Sequence, residues 1–250
     1  MGGVIQRGLE DVGEVVILLV RTLQWLFRPP FRFWLMMTQL EFVGAGSFFI
    51  VLLTGTFSGL VLSVQLIDGF ARFDAESLTG STIAIALCRE IGPVLTALIV
   101  TGRVASAMAT EIGTMKVTEQ IDALLTMAVS PIQYLVVPRV IAGVAMLPVL
   151  TMFYNVLGMA GTWYVCVEVA GIDEGVFWRR INTLLKPADI TVGVVKAAVF
   201  GLCITLVACH KGMNASGGAR GVGQATTQAV VFNIVAIFVL DYIVTAIWMA

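Results

Sequence analysis

The stretch LCREIGPVLTALIVTGRVASAMATEIGTMKVTEQIDALL, residues 87–125, decides how the rest of the chain is read. It sets an Arg-Glu pair, Arg89 and Glu90, inside an otherwise apolar segment. Gly92-Pro93 follows at once, and the stretch then leaves the apolar regime through a polar, helical-looking segment, residues 111–125. A charge at the centre of a bilayer costs at least about 2.5–3.5 kcal/mol on insertion scales, so such residues face a bundle interior or a wet cavity. Adjacent residues on a helix point about 100° apart, so the two charges cannot hide on one face. Pro93 has no N–H to offer the carbonyl of residue 89, which predicts a kink there. Buried charges followed by an amphipathic connector suggest a transporter with an external drive.

The composition agrees with a membrane setting. Of 250 residues, 58% are hydrophobic and 12% charged, and the mean hydropathy is +0.96. Soluble domains hold about 45–50% apolar and about 25% charged residues. A net charge of −1 argues against nucleic acid, which selects clustered Lys and Arg. Cys88, Cys166, Cys203 and Cys209 sit in apolar runs with no metal-ligand spacing and read as small core hydrophobes.

The N-terminal run 15–20 is too short for a signal peptide and is preceded by Glu10, Asp11 and Glu14. Ile5, Leu9, Val12, Val16, Leu19, Leu23 and Leu26 recur at steps of three or four, with Gln6, Glu10, Glu14, Arg21 and Arg28 off the stripe. That pattern predicts an amphipathic helix lying in the membrane interface, ended by Pro29-Pro30 and anchored by Phe31, Arg32, Phe33 and Trp34. The pattern predicts that residues 1–38 form this element and that 39–250 form a five-span bundle of the same single domain.

Residues 42–67 carry no charge over 26 positions and suffice for a first span; Gly55, Gly59 and Ser63 have the small-residue spacing that permits close helix contact in lipid. A second apolar stretch runs over 78–102, a third over 140–167 with Pro148 inside, a fourth over 190–209 with Lys196, and a fifth to the C-terminus with Asp241. Between the third and fourth, residues 171–186 predict a short surface helix with Val176, Phe177, Ile181 and Leu184 on one face. The loop 210–223 is Gly-rich but lacks a P-loop ending, and His210 reads as a surface residue. Five spans put the termini on opposite sides. With the N-terminus inside, nine Lys and Arg fall on inner segments against four on outer ones, which favours N-in, C-out.

Three stretches carry a resemblance: 89–124 within the opening segment, MAVSPIQYLVVPRVIAG at 127–143, and ATTQAVVFNIVAIFVLDYIVTA at 225–246. They resemble the MlaE-type permeases, membrane subunits of bacterial lipid-trafficking ABC transporters that work with MCE-domain proteins. The resemblance covers nearly the whole chain from about Phe33. It implies an all-α polytopic fold, a homodimer in the bacterial inner membrane, a separate cytoplasmic ABC ATPase that binds the ATP, a periplasmic MCE partner and phospholipid as cargo. It implies that the chain itself is no enzyme and holds no cofactor or metal. It assigns 111–125 as a cytoplasmic coupling helix, with Glu111, Met115, Lys116, Glu119, Gln120 and Asp122 toward the ATPase. By position it places Leu62, Leu66, Phe70 and Phe73 in the lipid pocket, with Arg89 and Glu90 as nearby polar groups and Gly69 where a relative can carry a larger residue.

From the residues alone, other readings stay open. Arg89-Glu90 can be a polar element of a translocation path or a structural ion pair, with Lys196 or Asp241 as partners. An ion- or proton-coupled carrier using Glu90 and Asp241 is the rival function. An intramembrane enzyme is disfavoured because no His or Cys constellation accompanies the acids.

Overall fold

The computed structural model describes residues 2–26, 28–29 and 32–249, and side chains for 11–26, 28–29 and 32–248. Phe27, Pro30 and Phe31, and the side chains of Ile5, Gln6, Leu9 and Glu10, on which part of the interfacial-helix reading rests, lie outside the described residues.

Eight helices account for the described fold, with no strand among the described residues: α1 Gly2–Leu26, α2 Phe33–Ala71, α3 Glu76–Val117, α4 Gln120–Thr126, α5 Ile132–Val169, α6 Glu174–Leu184, α7 Pro187–Met213 and α8 Gly218–Met249. Five of them, α2, α3, α5, α7 and α8, are long and apolar enough to cross a membrane. α2 is the longest apart from α3; its 39 residues extend about 58 Å at 1.5 Å per residue, more than a core about 30 Å thick requires. Because the spans alternate in direction, α1, α4 and the 214–217 turn share one face of the bundle, and α6 with the 72–75 turn shares the other. The Gly-rich loop expected over 210–223 is shorter than its composition suggests, since α7 runs on to Met213 and α8 begins at Gly218.

Lipid tails are as apolar as Leu, so helices in a bilayer associate through close packing and not through hydrophobic burial. The bundle uses glycine for this. A Cβ on Gly55 would lie 2.8 Å from the Tyr154 carbonyl oxygen, one on Gly161 2.7 Å from that of Thr56, and one on Gly59 would collide with the carbonyl of Gly158. Ser63 completes the stripe, buried, with Oγ donating to the Gly59 carbonyl at 2.6 Å. The Gly55/Gly59/Ser63 spacing thus packs α2 onto α5. α5 and α7 meet in the same way, backbone to backbone, at Gly143 and Gly201. These two helices are the most buried spans, and α8 is the least.

α3 is not a uniform α-helix. It widens into π-turns at Leu87–Ile91 and Thr101–Ala105. In the first, the Gly92 amide bonds back to the Leu87 carbonyl, a step of five. In that register the Cys88 carbonyl loses its partner to Pro93, which has no N–H, and Cys88 O instead packs against Gly193 of α7. In the second, Arg103 is turned onto α2, where Nη1 donates to the Phe42 carbonyl at 3.1 Å and to Ser47 Oγ at 3.0 Å. Gly46 makes room for that guanidinium.

α1 docks on the bundle with a face not expected from its apolar stripe. Leu18 and Thr22 are buried, Asp11, Val15, Leu19 and Trp25 half-buried, while Val12, Val16, Val20 and Leu23 are exposed. Of the predicted stripe, Val12, Val16 and Leu23 therefore point away from the protein, as a helix bedded in a membrane surface requires, while Leu19 and Leu26 are half-buried. Its polar side covers His210. That residue, expected at the surface, is buried: Nε2 lies 3.7 Å from Asp11 Oδ1 and 3.5 Å from Glu14 Oε2. Lys211 beside it reaches Asp11 at 2.9 Å. α6 buries Phe177 and Ile181 as its pattern predicts, while Leu184 stays exposed, and Asp173 caps it by accepting the Val176 amide at 2.8 Å. The four cysteines are unbridged, three of them buried.

Candidate functional site

Between α2, α3 and α8 lies an open groove of about 840 Å³. Leu53, Phe57, Val61 and Leu62 form one wall, Ile91, Val94, Leu95 and Ile99 the other, and Phe238 of α8 also lines it. The wall is apolar because α2 turns its small residues to α5, which leaves its large ones on the opposite arc. Tyr154, buried on α5, donates to Ser58 Oγ at 2.6 Å and so keeps a hydroxyl pair at the back of the groove.

Two carboxylates, Glu90 and Asp241, also line it. Behind them stands Lys196, whose side chain is fully buried; its ammonium bonds Glu90 Oε2 and lies 2.8 Å from Asp241 Oδ1. Thr245 Oγ1 is 3.5 Å from the other Glu90 oxygen. One ammonium thus joins α3, α7 and α8. An isolated buried ammonium would be strongly disfavoured, and two carboxylates on one ammonium leave one net negative charge at the groove floor. Arg89 faces elsewhere: the π-turn sends it to Asp189 in the first turn of α7, with Nη1 to Oδ1 at 3.7 Å. The adjacent charges therefore form two separate pairings with α7.

The connector differs from its expected form. Residues 111–125 are not one helix: α3 ends at Val117, Thr118 and Glu119 make a turn, and α4 starts at Gln120. The physical cause is Glu119, which adopts φ +62°, in the left-handed region, and stops α-helix propagation. The Thr118 amide bonds the Thr114 carbonyl at 3.0 Å and that of Glu119 bonds Lys116 at 3.2 Å, closing the end of α3. Lys116 Nζ then braces the turn by reaching Asp122 at 3.1 Å. Glu111 belongs to α3 and is tied to α5 through Arg139, with Nη2 to Oε2 at 2.7 Å. Ile112 and Ile121 are buried and Met115 and Leu124 partly so, in one cluster with Leu18, Leu135 and Cys209. The apolar side of the connector is thus occupied by the bundle itself, and Glu111, Thr114, Thr118, Glu119, Gln120, Asp122, Ala123 and Leu125 are its exposed residues.

The profile described as Permease MlaE matches residues 36–247. The chain belongs to the MlaE permease family. It is similar to a probable ABC transporter permease protein of Rickettsia bellii, 40% identical over 242 residues, which cover 97% of this chain and 93% of that protein. It is similar also to the intermembrane phospholipid transport system permease protein MlaE of Haemophilus influenzae, 39% identical over 223 residues, 88% of this chain and 85% of that protein. A chloroplastic relative from Arabidopsis thaliana, protein TRIGALACTOSYLDIACYLGLYCEROL 1, is 39% identical over 208 residues, 83% of this chain and 59% of its own.

Within this MlaE-family ABC transporter permease, a multi-pass membrane protein, the residues expected at a pocket separate into two groups. Leu62 and Glu90 line the groove. Leu66 packs against the main core. Phe70 is half-buried in the last turn of α2, where its carbonyl accepts the amides of Phe73 and Ala75. Phe73 lies past the helix end and is 77% exposed. Phe57, Val94, Leu95 and Tyr154 line the groove without having been singled out from the sequence. A signal for part of this existed: Leu53, Phe57 and Val61 recur every four residues on the arc facing away from Gly55 and Gly59.

Proposed function

We propose that this permease is the membrane subunit of an ABC transporter that moves phospholipid between the bacterial inner membrane and a periplasmic MCE-domain partner. It works as a homodimer, with a separate cytoplasmic ATPase binding and hydrolysing ATP. The observation that carries the reading is the groove between α2, α3 and α8, an apolar trough with carboxylates and hydroxyls at a few points only. A phospholipid has two apolar tails and one charged head, and an apolar channel with sparse polar groups is complementary to it. The groove opens outward from a single chain, so a second copy facing it would close it into a shared cavity. Leu66 and Phe70 then continue the same helix toward its outer end, Phe73 follows in the turn beyond it, and Arg89 stands near as a cation able to reach a phosphate on rearrangement.

In this reading the face carrying α1 and α4 is cytoplasmic, as its excess of Arg and Lys favours. The ATPase meets Glu119, Gln120 and Asp122. Met115 and Lys116 are half-buried behind that surface, and the exposed Glu111 transmits motion to α5 through its ion pair with Arg139. The rival carrier, with Glu90 and Asp241 as a proton relay, is less well supported because Lys196 already holds both carboxylates as ion pairs.

Photo-crosslinkers at Leu62 and Phe57 in the assembled transporter should capture phospholipid more strongly than one at Val149, an exposed apolar position outside the groove. Equal labelling at all three positions removes the groove from the path. Reversal of Glu119 and Asp122 to Lys should abolish co-purification of the ATPase. Lipid movement by the chain alone, driven by a pH gradient, would establish the carrier instead.

A further inference from the structure

On the face that carries α1 and the connector there is a second groove, of about 1060 Å³, bounded by α1, α4, the start of α5 and the end of α7. It shares no lining residue with the transport groove. Its floor is apolar, with Ile17, Leu18, Leu125, Val129, Ile132 and Met213, and its rim is cationic, with Arg21 and Arg32 beside Trp25.

Of the two acids that line this groove, Asp122 is ion-paired and Glu14 is hydrogen-bonded. Asp122 pairs with Lys116 at 3.1 Å; Glu14 meets His210 at 3.5 Å and the Asn214 amide at 3.3 Å. Arg21 and Arg32 have no carboxylate within salt-bridge reach among the described residues. Arg32 sits over the Tyr134 ring, with its guanidinium carbon 4.7 Å from the centroid, a cation–π contact that leaves its N–H donors without a carboxylate. The segment bearing it is pinned where Gln133 Nε2 donates to the Arg28 carbonyl at 2.9 Å.

We infer that this groove holds an anionic membrane phospholipid, with its phosphate on the Arg21–Arg32 rim and its acyl chains along the floor. A planar guanidinium grips a phosphate through paired N–H donors. An apolar floor distinguishes a lipid from a free phosphate ion, which needs no such surface. The exposed stripe Val12, Val16, Val20 and Leu23 beds α1 in the membrane surface, and that puts the rim at headgroup depth with Trp25 as the interfacial aromatic. A lipid so bound would clamp α1 against the connector, and the state of the connector would depend on which lipids surround the transporter. The inference does not rest on phospholipid being the cargo.

The test uses the full chain in proteoliposomes with trace photoreactive phosphatidylglycerol or phosphatidylcholine, reading crosslinked peptides around Trp25 and residues 125–133. The anionic probe should label this groove in preference to the zwitterionic one. Arg21→Glu/Arg32→Glu should raise the probe concentration for half-labelling roughly tenfold or more, with labelling at Leu62 unchanged. Loss at Leu62 alone would count against the transport groove and not against this site. Equal labelling by the two probes, or labelling that the double reversal leaves intact, overturns the inference. So does finding that an acidic segment of the ATPase fills the groove in the assembled complex. Should the double reversal not fold, the unmodified chain decides by salt: headgroup-directed labelling must fall as ionic strength rises, and salt-independent labelling rejects the site.

Discussion

Replacing Lys196 by Met tests the charge arrangement at the groove. The substitution keeps a long, unbranched side chain in a fully buried position and deletes the ammonium that holds Glu90 and Asp241. Removing one partner of a buried ion pair costs about 3–5 kcal/mol, because the remaining charge is left without compensation. Glu90 and Asp241 keep 39% and 21% of their side-chain surface toward the groove, so solvent relieves part of this and the low end, about 3 kcal/mol, applies. At roughly 2–4 °C per kcal/mol for a chain of this size, the unfolding midpoint should fall by about 6–12 °C. The triple variant Lys196→Met/Glu90→Gln/Asp241→Asn removes all three charges, and an uncharged replacement of a buried ionic group is often close to neutral, so it should recover most of the loss. Thermal unfolding of the purified protein at one fixed detergent and lipid composition reads both. A single variant within about 2 °C of the parent, or a triple variant no more stable than the single one, refutes the reasoning.

Gly59→Ala should cost about 1–3 kcal/mol, since its methyl would meet the Gly158 backbone and force α2 away from α5. Gly69→Ala, with nothing within 4 Å, is the comparator, and equal effects at the two sites would count against glycine-mediated packing. At the connector, Glu119→Gly should stabilise by up to about 1 kcal/mol and Glu119→Val should destabilise by about as much, because φ +62° suits glycine and not a branched residue. A reversed order, measured by the same melting assay, would mean the turn is not left-handed.

The spans were legible because long apolar stretches have one physical use even where Arg89-Glu90 or Lys196 interrupts them, and the Gly55/Gly59/Ser63 spacing announced its packing role. What the sequence could not disclose was direction. Arg89 and Glu90 stand side by side in the chain, yet a single π-turn sends one to Asp189 and the other to Lys196, and no periodicity of 3.6 contains that shift. Lys196 was visible as a charge in a span, but the convergence of two carboxylates on it required the third dimension. His210 read as a surface group because the cover comes from α1, nearly 200 residues earlier. The connector read as one amphipathic helix because its apolar spacing is helical on both sides of Glu119. Only the backbone at that residue breaks it, and glutamate gives no warning of a left-handed turn.

The π-turns in α3 also change how its residues must be counted. Each turn holds more residues per revolution than the α-helix around it, so the face that position 94 occupies is not the one extrapolated from position 84. A relative lacking one residue within Leu87–Ile91 would simply tighten that turn and keep everything beyond it in phase. A one-residue gap elsewhere in the span would rotate the remainder by about 100° and carry the groove-lining side chains to the wrong side. The π-turns are therefore the places where the second span can gain or lose a residue without rewiring the transporter, and alignments of this family should let their gaps fall there.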